Sequence, residues 1–202
     1  MGKSDDFILP WYKSIISMSG DIALLGFPKN NPHFPLGDCY DLKLNNWQIN
    51  SDWELKKKYN TIICTRCAYF AKNPKDFVLK CFNNLKKNGA LYVDWGLGDH
   101  WRFANYKIGW VKNGEHEYAY AKDNFLWSTV WDHSFLKNDQ FILFQNRVKK
   151  LGYTDVYSSI LKEVPKILTL DSIRKYFNVD YYMLPLHKDR PQLYTLLKCQ
   201  KK

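Results

Sequence analysis

The sequence predicts an α/β fold: a mostly parallel sheet with helices on both faces, finished by a C-terminal antiparallel hairpin. Three observations carry this. Residues 59–65 and 90–95 are short apolar runs, the first rich in β-branched residues, as buried strands are. Between them Phe77, Val78, Cys81, Phe82 and Leu85 fall on one face of a helix. Strand, helix and strand in that order make a βαβ unit, so the two strands run parallel. Finally, apolar runs at 179–187 and 192–199 flank the polar turn Lys188-Asp-Arg-Pro191, which is a hairpin pattern.

In chain order, residues 8–18 have helical apolar spacing, with Pro10 suited to a first turn. Gly20 ends that segment, and residues 21–26 read as a buried strand. Three prolines make 27–37 a loop. Residues 39–44 read as a short strand, and 47–58 is polar and interrupted. Asn73-Pro74 starts the helix of the βαβ unit, and Asn88-Gly89 ends it as a left-handed cap. Residues 96–132, rich in Gly, Trp, Tyr, Asn and His, read as loops with one or two short strands. Residues 139–151 make an amphipathic helix ended by Gly152, and 171–177 a short one. The whole, residues 1–202, reads as a single domain carrying an aromatic-rich insertion at about 96–132.

Composition narrows the function classes. The chain has 202 residues and a net charge of +10, with 46% apolar and 25% charged residues, which excludes general disorder. Eight Trp and 17% aromatics supply core anchors and pocket walls. The basic charge is mostly dispersed Lys, 25 against 5 Arg. Arg is the residue that reads phosphate and guanine in bidentate fashion, so nucleic acid is permitted as a partner without being favoured. High Lys, Asn, Ile, Tyr and Phe together suit an AT-rich genome, such as that of a phage or another virus. No run of 18 apolar residues occurs, which predicts no membrane span. The N-terminus Met-Gly-Lys-Ser-Asp-Asp carries no apolar signal segment, and five cysteines lack a framework spacing. A cytoplasmic location with reduced thiols is the expectation. Cys64-Thr-Arg-Cys67 is formally a CxxC pair, but no second pair stands at zinc spacing. It ends an apolar run and reads as two buried thiols.

Four segments in series carry a family resemblance. They are Gly37-Asp-Cys-Tyr-Asp-Leu42, Tyr59-Asn-Thr-Ile-Ile-Cys-Thr-Arg-Cys-Ala-Tyr69, Asn73-Pro74 through Phe77, and Leu85-Lys-Lys-Asn-Gly-Ala-Leu-Tyr-Val93. In order and spacing they resemble the middle of a class I S-adenosylmethionine-dependent methyltransferase of type 11 ("GDAxDL", "FDxIxxxxxLxY", "DPxxFL", "LKPGGxLxV"). The resemblance implies a Rossmann-like sheet and S-adenosylmethionine as cofactor. The start departs from the pattern. The family ends its first strand in an acid-x-G-x-G turn and holds the ribose hydroxyls with an acid after the second. Here the only candidate turn is Leu25-Gly26-Phe27-Pro28, with a single Gly, and no strong second-strand acid stands out. Asp94-Trp-Gly-Leu-Gly98 also fits acid-x-G-x-G, but no clear amphipathic helix follows it and too little chain remains for the rest of the fold.

Open α/β sheets bind ligands outside the carboxyl ends of their strands. The resemblance therefore implies cofactor contacts at Gly26 and Phe27, at Asp38 and Cys39 (the family's adenine position), and at Thr65, Arg66 and Tyr69 after the fourth strand. The cluster 94–102 is the densest in polar and aromatic groups. In it His100 or Asp99 is a candidate general base, and Asp94, Trp95 and Trp101 are candidate acceptor contacts. No spacing argues for a metal. The reading is a methyltransferase acting on a small-molecule or unidentified acceptor. The alternative is a non-catalytic binding protein of the same fold that has lost the cofactor site.

Overall fold

The computed structural model describes residues 5–96, 111–112, 115–116, 128–150, 153–154, 167–186 and 192–202. Along the chain come α1 (Asp5–Ile15), β1 (Ile22–Leu25), β2 (Asp38–Tyr40), α2 (Leu42–Asn45), β3 (Tyr59–Cys64), α3 (Pro74–Asn84) and β4 (Leu85–Gly96). There follow β5 (Val111–Lys112), β6 (Glu115–His116), β7 (Thr129–Trp131), α4 (Asp139–Lys150), β8 (Tyr153–Thr154), β9 (Ile167–Thr169), α5 (Leu170–Arg174), β10 (Phe177–Leu186) and β11 (Gln192–Lys201).

The main sheet has the order β10-β11-β4-β3-β1-β2. The four strands β2, β1, β3 and β4 are mutually parallel, and β11 and β10 complete the sheet by antiparallel pairing. This is the Rossmann-like architecture expected. Alternation along each strand sends side chains to two cores. On one face α1 covers Leu24, Ile63, Tyr92 and Leu196. On the other, α3, α4 and α5 cover Leu25, Ile62, Leu91, Val93 and Leu197. Two smaller sheets have the orders β6-β5-β8 and β7-β9. No helix among the described residues is long and apolar enough to cross a membrane.

Three local expectations change. α1 begins at Asp5, so Pro10 lies inside the helix rather than in its first turn. α3 ends at Asn84, and residues 86–89, expected to cap it, instead form an irregularity within β4. There the pairing with β3 jumps from Tyr59↔Leu85 to Thr61↔Ala90, and Asn88 takes the left-handed φ of 59°. The strand expected over 39–44 covers only Asp38–Tyr40, because the chain turns at Asp41 into α2, and this short β2 is one edge of the main sheet. The Asn45 side chain covers it, donating to Cys39 O at 3.0 Å and accepting from Asp41 N at 3.1 Å, as a neighbouring strand's peptide would.

The amino ends of the parallel strands carry an ion-pair cluster. Asp21 accepts from Lys57 and from Lys86, each at 2.5 Å. Hydrogen bonds from Lys57 and then Lys86 lower its carboxyl pKa from 3.8 to about 2. A carboxylate with a depressed folded pKa adds stability that is present above its ordinary value and lost as pH falls through the folded one. The Asp21 carboxyl resonance is thus expected to titrate near pH 2, and Asp21→Asn to remove acid sensitivity between about pH 4 and 2. An Asp21 midpoint near 3.8 in an NMR titration would show that the ion pairs do not form.

Candidate functional site

The chain leaves β1 toward β2 on one side, and β3 toward β4 on the other. The carboxyl ends of β1 and β3 therefore flank the topological switch point, where open sheets leave a ligand crevice. Gly26 closes β1 with φ 76°, and its N–H donates to Tyr40 O at 2.7 Å. A Cβ on Gly26 would lie 2.8 Å from Cys67 Sγ. Both the backbone conformation and the close approach thus call for glycine. Thr65, just past β3, is buried, and its hydroxyl has no hydrogen-bond partner among the described residues. A buried hydroxyl without a partner is uncommon and is the kind of group a ligand satisfies. Arg66 turns the chain with a left-handed φ of 63°, and its guanidinium carbon lies 4.7 Å from the centre of the Tyr194 ring, within cation–π range.

Asp94, near the end of β4, is 1% exposed. Its carboxylate accepts from the Tyr12 hydroxyl of α1 at 2.7 Å and from the Arg66 backbone N–H at 2.6 Å. Burial, and then the adjacent Asp94 charge, push the Tyr12 phenol well above its ordinary pKa, so Tyr12 stays a donor. Asp94 thereby ties α1 to the turn after β3.

Trp95 points the opposite way, as β alternation requires. Its ring is fully buried among the α3-side core residues, and its indole N–H donates to Ser128 Oγ at 3.3 Å. Ser128 in turn donates to Ala68 O at 3.2 Å. The expectation that Trp95 stacks on an acceptor is corrected: no face of the ring is open. The Phe27 ring is likewise buried beneath α1, edge-on to Phe34 at 5.4 Å, which leaves its backbone as the part near the crevice.

Asp38 does not join the crevice. It pairs in register with Ala23, at the amino end of β2. Its carboxylate is held by Lys56 at 2.6 Å and by the Tyr59 hydroxyl at 2.8 Å. Burial acts to raise its pKa, but these hydrogen bonds outweigh it and hold the carboxyl below the usual value. Cys39 is half-buried, with its thiol 3.8 Å from Pro28 O, and burial raises its pKa. Tyr69 is buried in the α3-side core and its carbonyl accepts from Ser128 N. Cys64 is buried, while Cys67 is only half-buried. His100, Asp99 and Trp101 lie outside the described residues.

Three residues stand near these strand ends to which the sequence assigned no role there. Asp41 is one. Because β2 pairs directly with β1, the acid just past its carboxyl end is Asp41, which caps α2 through a bond from Lys43 N at 2.9 Å. Its second oxygen has no partner among the described residues. Tyr12 is another, a polar tip within the apolar stripe Ile8, Tyr12, Ile16; that stripe was the available signal. Cys67, against Gly26, is the third.

No family model and no curated protein matches this chain. Solved structures do. An S-adenosylmethionine-dependent methyltransferase from Mesorhizobium loti superposes with a TM-score of 0.52 at 11% identity, over 97% of this chain and 99% of that one. One from Thermotoga maritima gives 0.44 at 12% identity, over 96% and 87%. The first shares the fold over essentially its whole length.

Proposed function

We propose that this chain is an S-adenosylmethionine-dependent methyltransferase that binds its cofactor across the carboxyl ends of β2, β1 and β3. The observation that carries the reading is the pair of residues just past the carboxyl ends of β1 and β3, on either side of the switch point: a left-handed Gly26 and the buried Thr65, whose hydroxyl has no partner among the described residues. The matching fold of the Mesorhizobium loti enzyme supports it.

The residues present suit the group at three points. Gly26 and the Phe27 backbone present main-chain groups at the end of β1, beside the Cys67 side chain. Asp41 has a carboxylate oxygen to accept from a ribose diol. The Thr65 hydroxyl lacks a partner that a ligand would supply. Bound there, the cofactor supplies an electrophilic methyl group for in-line transfer to a nucleophile. The chain's own contribution is largely positioning. Arg66 is stacked on Tyr194, and Asp94 fixes its backbone from below. His100 or Asp99 is the proposed base for the acceptor proton, and Trp101 a proposed acceptor contact.

The second reading is the same fold without a working cofactor site. Cys67 against Gly26, together with Phe27 and Phe34 packed under α1, favours it. Calorimetry with S-adenosylhomocysteine separates the two. The main reading expects saturable binding. It also expects Thr65→Val to weaken that binding about three- to tenfold, by one neutral hydrogen bond, with stability unchanged or higher. No heat at millimolar ligand would leave the second reading.

A further inference from the structure

We propose that the methyl acceptor carries an anionic group, a carboxylate or a phosphate, held by Lys72 and Lys75 in a cavity beside the crevice. The proposal rests on the methyltransferase reading for its role and on separate observations for its site. The cavity is about 530 Å³, within the range of small-molecule sites. Pro74, Ile167 and Leu168 give it an apolar wall, and Lys72 and Lys75 give it two positive charges with no acid in the lining.

Neither lysine has an ion-pair partner among the described residues. Lys56, Lys57, Lys80 and Lys86 are each paired with an aspartate. A second cavity, of about 430 Å³, gives a direct contrast. Asp52, Glu54 and Asp76 line that one, but the Lys80 ammonium already sits 3.6 Å from Asp52 and 3.3 Å from Asp76. Its charge is internally neutralised, whereas that of the Lys72–Lys75 cavity is not. The backbone groups at the start of α3 are not the attraction, since the Asn73 side chain already accepts from Asp76 N.

Position assigns the role. The segment 65–73 carries the chain from the end of β3 to α3, so the cavity opens at the same end of the sheet as Gly26 and Thr65. Its far wall is tied to that segment. β9 pairs with β7, and Ser128, next to β7, accepts the Trp95 indole and donates to the carbonyls of Ala68 and Tyr69. An acceptor with an apolar body and an acidic end would lie on Pro74 and Leu168 with its charge at the lysines.

Amide chemical-shift titrations with phenyl phosphate, phenylacetate and phenyltrimethylammonium test this on the full chain. The two anions are expected to shift the amides of 72–75 and 167–172. Their affinity should fall with added salt and drop about five- to tenfold in Lys72→Gln/Lys75→Gln, while Lys149→Gln/Lys150→Gln leaves it unchanged. Relative strength of the two anions tells phosphate from carboxylate. Equal shifts from the cation, or equal anion affinity in the double variant, would overturn the anionic site. S-adenosylhomocysteine binding, measured on the same samples, is expected to survive the lysine changes. Its absence from the wild type would instead overturn the methyltransferase reading, and with it the role given to this cavity.

Discussion

Asp94→Ala is expected to lower unfolding stability by about 3–5 kcal/mol, read from the urea midpoint. The carboxylate is 1% exposed and accepts hydrogen bonds from Tyr12 and from the Arg66 backbone. Alanine leaves the buried Tyr12 hydroxyl and the part-buried Arg66 N–H without this acceptor, and an unsatisfied buried donor costs about 1–3 kcal/mol. It also releases α1 from the carboxyl end of β4. Asp94→Asn keeps an acceptor in place and should cost less, and Tyr12→Phe, which removes one donor and leaves an acceptor oxygen in place, about 1 kcal/mol. The double-mutant cycle between Tyr12 and Asp94 should show a coupling, because the two groups are in contact. If Asp94 served only to meet an acceptor, the alanine variant would unfold at the wild-type urea concentration.

Trp95→Ala is expected to destabilise by a similar amount, about 3–5 kcal/mol, through lost burial and the cavity left behind. The ring is fully buried, and Ser128 links its indole to the turn after β3. Trp95→Phe refills much of the volume and loses mainly the indole hydrogen bond, so it should recover most of the loss. Cofactor affinity of the phenylalanine variant should stay close to wild type, since Trp95 faces away from the crevice. A Trp95→Ala protein with unchanged stability and weakened ligand binding would restore the stacking role that the residue type suggests.

These two neighbours show what the sequence could and could not convey. The parallel strands were legible because β-branched runs and a one-sided helix have few alternatives once they occur in series. The closing hairpin was legible for the same reason, with its register running from Phe177↔Lys201 to Leu186↔Gln192. Residues 94 and 95 were read together as one polar and aromatic cluster. They lie on a strand, however, and strand period sends them to opposite faces. Composition marked the cluster, but alternation divided it.

Asp38 illustrates a second limit. In a three-residue strand the acid at position one, Asp38, and the acid just past position three, Asp41, are only three positions apart. They face opposite ends of the sheet. Only the pairing Ala23↔Asp38 reveals which end is which. It directs Asp38 to Lys56 and leaves Asp41 beside Gly26. The two-residue pieces β5, β6 and β8 carry too few residues for any periodicity and are visible only through their partners.

The claim that ligand binds at the carboxyl ends of β2, β1 and β3 is tested most directly by mapping S-adenosylhomocysteine on the amide spectrum of the full chain. The account predicts the largest shifts at Gly26, Phe27, Asp41, Thr65 and Arg66, with the amino-end residues Asp21, Asp38 and Tyr59 unmoved. No shifts at millimolar ligand, or shifts centred on the amino-end cluster, would contradict it.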